Sequence, residues 1–490
     1  AVDGFRLKDL REWLVPSAGD PAEVFDHLAT RCDCDCAFCY LRGNPSSLAL
    51  EHPERKPDGE WQECRTRLKY FSPPARRSLF PSLGSPYEVL AHPRALDLLG
   101  ELRQKTDRPF RLSTNGNRLS PALIEKLARL KPVYLYLSLN SFSPARRGEI
   151  MATAVPETAI RSLPLLMEHG IPYAVVIVPW PSPSKEEMLS DLTETIRYAD
   201  RHNAHLVEVS LPGFTRFFSA EPPFDTEEVW PAVVRAVRDL RPAAATPLLL
   251  KPALYEETLF ETKFNTAAVL GTVKNSPAFF SGLQAGDMIE AVGGLKVSSR
   301  PQARDLLRLH HARASSSLSL SVRRGGNVLE IPLQAARHEY PYAPVTDHHL
   351  GVIFGGAGFR PSLVEDLSAA IRNRGAKRVL LFSSRLVRPV LKQLLSESAL
   401  FGGVDIEVEV PGNRYFGGNI FMGDLLVVGD FIEALRDYLK KNVSPDLVVI
   451  PSSPFSLGAW GRDLEGRVFT DIEREVGIPV ALLECEPIYD

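Results

Sequence analysis

The chain reads as an α/β protein in three parts: an open, partial barrel of six βα units, a small β-rich domain, and a C-terminal α/β domain. Three observations predict this arrangement. From about Val24 to Pro212, short apolar runs of strand length alternate with amphipathic helical stretches, the pattern of parallel βα units. The alternation weakens after Pro231, and a new domain begins near Leu254. From about Tyr340 the α/β alternation returns. A length of 490 residues suits about three domains. Their expected bounds are 23–250, 254–337 and 340–490, behind an N-terminal extension at 1–22.

Six strands are expected in the first part: Val24 to Thr30, Ser78 to Leu83, Phe110 to Thr114, Val133 to Leu139, Tyr173 to Val178 and His205 to Leu211. Helices at Pro93 to Lys105, Pro121 to Leu130, Pro156 to His169 and Lys185 to Arg201 separate most of them. In barrels of this kind the chemistry sits at the C-terminal strand ends. The second part opens with the runs Val269 to Val273 and Met288 to Gly294, and a helix at Pro301 to Leu309 and strands at Ser317 to Arg323 and Val328 to Leu333 complete it. The third has strands at Leu350 to Phe354, Arg378 to Phe382, Asp405 to Val410, Leu447 to Pro451 and Ile478 to Leu483.

Four of the six cysteines fall in Cys32-Asp-Cys34-Asp-Cys36-Ala-Phe-Cys39. Cys32, Cys36 and Cys39 read as CxxxCxxC, a spacing that can wrap three corners of one compact iron-sulfur cluster. Zinc fits less well, since structural zinc sites draw their ligands from separated knuckles. Disulfides are not expected either, with few cysteines in so long a chain and no secretory leader before the motif. Cys34 is out of register with the triplet and reads as a spectator, and Cys64 stands alone in a polar stretch.

With Phe38 as the aromatic residue before the last cysteine, this motif resembles that of the radical SAM superfamily. The resemblance implies a partial (βα)6 barrel and a 4Fe-4S cluster held by Cys32, Cys36 and Cys39. It also implies that S-adenosylmethionine is reductively cleaved to a 5'-deoxyadenosyl radical, which abstracts hydrogen from a substrate. Other segments are similar to the superfamily pattern. Gly84-Ser-Pro-Tyr-Glu88 takes the place of the Gly-Glu-Pro type turn that receives the cofactor's amino group, with Ser85 where an acidic residue is usual and Glu88 the substitute carboxylate. Leu112-Ser-Thr-Asn-Gly-Asn117 looks like the third strand and its turn, which implicates Asn115. Tyr136-Leu-Ser-Leu-Asn140 and Ser143-Pro-Ala-Arg-Arg147 resemble the fourth strand and its loop. There Ser138 is the candidate for ribose, and Arg146 or Arg147 for a carboxylate held by two prongs. Taken singly, Asn-Gly and Ser-Pro also serve as ordinary turn residues. Glu208 is a further candidate on the sixth strand.

Ser276-Pro-Ala278 and Gly282-Leu-Gln-Ala-Gly-Asp287 resemble a bacterial PDZ domain, whose relatives bind peptide C-termini by strand addition. No Gly-apolar-Gly-apolar loop precedes Val269, so peptide binding and a structural docking role both stay open. Val410-Pro-Gly-Asn-Arg-Tyr-Phe-Gly-Gly418 and the segments after it resemble a C-terminal domain of unknown function found in radical SAM proteins that carry a PDZ domain. Gly355-Gly-Ala-Gly358 is a βα turn without a P-loop lysine, and Asp347-His-His349 reads as a linker.

The net charge of -3 and the lack of a basic stripe give no reason to expect nucleic acid. No apolar run approaches the ~20 residues of a membrane span. A cytoplasmic setting is expected. Asp33 and Asp35 would make the cluster hard to reduce, so the expected partner is a low-potential donor such as flavodoxin or ferredoxin. The PDZ resemblance points to a peptide or protein substrate. The competing expectation is an iron-sulfur scaffold or adaptor that recruits partners through its last two domains. Too few cysteines remain for auxiliary clusters, and no cobalamin-binding segment is present.

Overall fold

A computed structural model describes residues 32–39, 43, 61–62, 65–66, 68–69, 88–106, 110–219, 221–260, 264–312, 317–334, 348–355, 358–360, 362–455 and 461–485. The expected strands at 24–30 and 78–83 lie outside them, as do Ser85 and Cys64. Helix α1 (Ala95–Arg103) precedes a parallel sheet of β1 (Phe110–Thr114), β2 (Val133–Ser138), β3 (Tyr173–Ile177), β4 (Leu206–Ser210) and β5 (Leu248–Lys251), ordered as in the chain. Between them run α2 (Pro121–Arg129), α3 (Pro144–Met151), α4 (Pro156–Glu168), α5 (Lys185–Arg201) and α6 (Thr226–Leu240), and α7 (Ala253–Leu259) follows.

Side chains alternate across each strand. Leu135, Leu137, Val175, Val207 and Leu250 face outward onto a helical layer that includes Leu98, Ile124, Leu163, Ile196 and Val233. Tyr134, Tyr136, Ala174, Leu206 and Leu249 line the opposite face.

In the first region, α3, α6 and β5 are among the elements that depart from the sequence reading. The segment after β2, expected as a loop, is α3: Ser143 caps it by accepting a hydrogen bond from the Arg146 N–H, and Pro144 opens its first turn. Ser120-Pro121 and Ser276-Pro277 start helices in the same way. In these three places Ser-Pro marks a helix start, because the missing proline N–H is one a first turn leaves unsatisfied anyway. Pro231, read as the end of alternation, lies inside α6, whose Val229, Trp230, Val233, Val234 and Val237 are buried. That helix leads to β5, a strand the sequence reading missed.

His205 precedes β4 and is buried against Tyr134, with ring centroids 6.0 Å apart. Burial first, then Lys274, lowers its imidazole to about 4. The depressed value means that the neutral ring stabilises the fold above the unfolded pKa near 6.5, and this stability is lost as pH falls toward 4. We expect denaturant unfolding to show the wild type losing about 2 kcal/mol more than His205→Gln between pH 7 and pH 4.5, from about 1.36 kcal/mol per pH unit. Equal losses would show that His205 does not carry the effect.

The second region is a sheet ordered β10 (Asn327–Leu333), β9 (Leu318–Arg324), β7 (Met288–Val292), β8 (Leu295–Lys296). It packs with α8 (Pro277–Phe280) and α9 (Arg300–Ala312). Here β6 (Val269–Thr272) pairs antiparallel with β11 (Val352–Phe354), Val352 opposite Thr272 and Ile353 opposite Gly271. The sequence placed this last strand at the start of the third region. Leu350, Val352 and Phe354 instead belong to the core formed with Val269, Ile289, Ala303 and Leu307. Gly351 makes the turn into β11 at φ 86°, where a Cβ would sit 1.9 Å from the Ser276 Oγ, so only glycine fits. The ribbon's other side sends Val273, Ile353 and Leu270 against Tyr134, Tyr136, Leu206 and Leu249, covering part of the inner face of the first sheet.

The third region is a parallel sheet ordered β13 (Asp405–Glu409), β12 (Arg378–Phe382), β14 (Leu447–Pro451), β15 (Val480–Leu483). Helices α10 (Ser362–Arg374), α11 (Arg388–Glu397), α12 (Val428–Leu439) and α13 (Thr470–Val476) cover it, and apolar cores lie on both faces.

Candidate functional site

The cysteine loop lies over the C-terminal ends of the first sheet and is moored to the last turn of α3. The Asp35 N–H donates to the Met151 carbonyl at 3.1 Å and the Ala37 N–H to that of Ile150 at 2.7 Å. Phe38 joins Ile150, Met151, Trp180 and Phe218 in one apolar cluster. Gly43, just beyond the loop, accepts from the Thr215 hydroxyl.

Beneath the loop, the Thr-Asn-Gly turn after β1 supplies most of the polar contacts. Gly116 stands at φ 80°, and a Cβ there would meet Ala159 at 2.6 Å and Leu137 at 2.7 Å. This tight turn presents Asn115 and Asn117 upward. The Asn115 Nδ2 donates to Asp33 at 2.7 Å and to the Cys32 Sγ at 3.6 Å. The Asn117 Nδ2 donates to Asp33 at 3.2 Å and to the Cys34 Sγ at 3.2 Å. Arg118 pairs with Asp33 at 3.1 Å. Asp33, read from sequence only as a charge near the cluster, thus ties the loop to the turn.

Glu88 is buried and accepts from the Asn115 N–H at 2.6 Å and the Thr114 hydroxyl at 2.8 Å. Burial pushes its carboxyl up to about 7 against the pull of those two donors. Glu88 is therefore held on the turn that carries Asn115.

The two adjacent arginines part company. Arg146 pairs with Asp191 at 3.1 Å and donates to the carbonyls of Trp180 and Ser182. Those contacts occupy the candidate carboxylate holder within the scaffold. Arg147 is fully buried and donates to the carbonyls of Ser138 at 3.1 Å and Leu139 at 2.6 Å, and to that of Asn115. Burial lowers its guanidinium to about 10, opposed by negative charge at Cys34, Cys36 and Glu88. Sequence reasoning missed Asn117, Arg118 and the division of labour between the arginines. The polar run Asn117-Arg118 after the turn was the available signal.

On the inner face, Ser138, Val176 and Glu208 stand in register across β2, β3 and β4. Glu208 is 3% exposed and pairs through Oε2 with Lys251 at 2.8 Å, while its Oε1 has no hydrogen-bond partner among the described residues.

The residues fit an iron-sulfur cluster. Cys32, Cys36 and Cys39 are partly buried thiols outside any disulfide. The Sγ atoms of Cys32 and Cys34 and an Asp33 carboxylate oxygen lie within 4.8 Å of one another, a grouping with the convergence a single ion needs. Ligands of a cubane address different irons and need not converge on one point. The Cys32 thiol is held far above its usual range by its hydrogen bond with the Cys34 side chain and then by burial, and a bound metal would deprotonate it.

Among the described residues, no helix is long and apolar enough to cross a membrane. Residues 28–194 match the family model of the radical SAM superfamily, and residues 258–334 match that of the PDZ domain. Solved structures similar to this chain include Streptococcus suis SuiB bound to S-adenosylmethionine, at 17% identity and a TM-score of 0.33, covering 45% of this chain and 48% of that one. SuiB bound to the precursor peptide SuiA matches at 17% identity and a TM-score of 0.33, covering 45% and 47%. SuiB alone matches at 18% identity and a TM-score of 0.32, also covering 45% and 47%. This chain therefore spans about half the length of these matched chains. No curated protein matches it. The cysteine loop over the parallel strand ends thus lies within the stretch that matches the radical SAM superfamily, and the region built on β6 to β10 coincides with the stretch that matches the PDZ domain.

Proposed function

We propose that this protein is a radical SAM enzyme with one 4Fe-4S cluster, held by Cys32, Cys36 and Cys39. The observation that carries the reading is the mooring of the CxxxCxxC loop above the strand ends, where Asn115, Asn117 and Arg147 converge. When bound, the cluster and S-adenosylmethionine supply a 5'-deoxyadenosyl radical. The chain's own residues position and shield this chemistry. Phe38 and Trp180 exclude water on one side of the loop, and Arg147 sets a buried positive charge near the thiolates. Ser138 and Asn115 are proposed to meet the cofactor's polar groups, with Glu88 fixing the turn that presents Asn115. Glu208 and Lys251 offer an acceptor and a cation further across the inner face.

The substrate we propose is a peptide or protein. Support comes from the PDZ region, where β11 is an edge strand among the described residues and so offers the kind of edge to which a peptide strand can add. A low-potential donor such as flavodoxin or ferredoxin would supply the electron, in a cytoplasmic setting that keeps the thiols reduced.

The test is anaerobic incubation of iron-loaded full-length protein with S-adenosylmethionine and dithionite, with 5'-deoxyadenosine measured by mass spectrometry. Formation of the nucleoside is expected. A fully loaded cluster without any nucleoside, combined with retained protein partners in a pull-down, would replace this reading with that of an iron-sulfur adaptor.

A further inference from the structure

The C-terminal sheet carries a feature that the radical chemistry does not use. Its strand order places β12 in the middle: the chain passes from β12 outward to β13, then returns to the other side for β14 and β15. The connections therefore diverge between β12 and β14. In open parallel sheets, the crevice outside the strand ends at such a switch point is where ligands bind. A cavity of about 170 Å³ lies there. Ser383 and Ser384 bring β12 to its rim, Ser453 follows β14, and Cys485 follows β15. The opposite wall comes from the first region, through Leu211, Trp230 and Leu254.

The size and lining define a ligand. An apolar cavity of roughly 150 Å³ admits a benzene ring. Trp230, Phe359, Phe382 and Phe421 are among the residues that line this one. Among the described residues that line it, one is acidic, Asp424, and it is only 5% exposed. Among the described residues, no basic one lines the cavity. A carboxyl removed from water without a cationic neighbour is costly, and a cation arriving with a ligand would relieve that cost. Burial accordingly raises the Asp424 carboxyl, with only its own backbone N–H opposing.

We propose that this cavity binds a primary amine with a small apolar body, its ammonium on the Asp424 carboxylate and its hydrocarbon among Trp230, Phe359, Phe382 and Phe421. Such an alkylammonium occurs as a free amine and as the end of a lysine side chain. Cation–π attraction to the rings and a charge-assisted hydrogen bond to the carboxylate both favour the protonated head.

The experiment is calorimetric titration of the full-length protein with n-hexylamine, n-hexanol, n-hexanoate and Nα-acetyl-lysine methylamide. It requires neither cluster nor S-adenosylmethionine, so its outcome is independent of the radical reading. Hexylamine is expected to bind at least about tenfold more tightly than hexanol, the weight of one charge-assisted contact, and hexanoate not at all. Binding of the lysine amide at comparable strength would assign the site to a side chain, and binding of hexylamine alone to a free amine. Asp424→Asn should abolish the preference for amine over alcohol. Cys485 places the site: hexylamine should slow its alkylation by N-ethylmaleimide in the wild type. Equal binding of amine, alcohol and acid, or alkylation of Cys485 at an unchanged rate, would overturn the proposal without recourse to a variant.

Discussion

Single replacement of Cys32, Cys36 or Cys39 by Ala is expected to leave reconstituted protein without the broad visible absorbance of an iron-sulfur cluster. 5'-Deoxyadenosine formation should fall by more than about 100-fold, beyond the 10–100-fold that losing a supporting partner around a metal site costs. Cys34→Ala is the informative control. Cys34 is close to Cys32 and accepts from Asn117, and it shares the tight grouping with Asp33. If the triplet holds the cluster, Cys34→Ala keeps both absorbance and product. A cluster lost in Cys34→Ala and retained in Cys39→Ala would move the metal onto the tighter group and refute the ligand assignment.

Arg147→Met should destabilise the fold by about 3 kcal/mol or more, read as a lower denaturant midpoint. The guanidinium is the strut between the strand ends. It donates to carbonyls at Ser138 and Leu139 on β2 and just after it, and at Asn115 after β1. Methionine fills most of the volume but leaves those buried acceptors unmet, at roughly 1–3 kcal/mol each, partly offset by no longer burying a charge. Arg147→Lys should recover little, because one ammonium cannot span carbonyls on two strands as a planar fork does. Iron bound per chain should fall in parallel, since the same turn holds the cysteine loop through Asn115 and Asn117. A variant with wild-type stability and iron content would show that Arg147 has no such role.

Much of the fold was legible where local pattern decides structure. Phe110–Thr114, Arg378–Phe382 and Leu447–Pro451 fall where the apolar runs put them. What stayed hidden depends on partners distant in sequence. Val352–Phe354 looked like the first strand of a new domain because nothing local reveals that it pairs with Val269–Thr272. In the candidate site, the Thr-Asn-Gly turn was readable as chemistry. Arg146 and Arg147 could not be told apart from sequence, since adjacent helical residues differ by about 100° in direction, and only packing decides which one turns inward. Asp424 carried no signal at all. Its meaning comes from the aromatic residues that four separate segments bring around the cavity.

The β6–β11 ribbon makes the PDZ region a borrowed assembly. The matched stretch ends at residue 334, yet one of the strands in its core begins at Val352. A fragment cut between those points would lack a strand. It would expose the backbone edge of Val269–Thr272 and uncover Tyr134 and Tyr136 on the first sheet. That is the unpaired edge beside apolar surface that drives chains to associate. The stitch also ties three regions into one mechanical unit, because Ile353 grips the first sheet, Val352 and Phe354 complete the second region's core, and the chain beyond them enters the third. Unfolding at the start of the third region would pull directly on the cover of the first, so the regions should melt together.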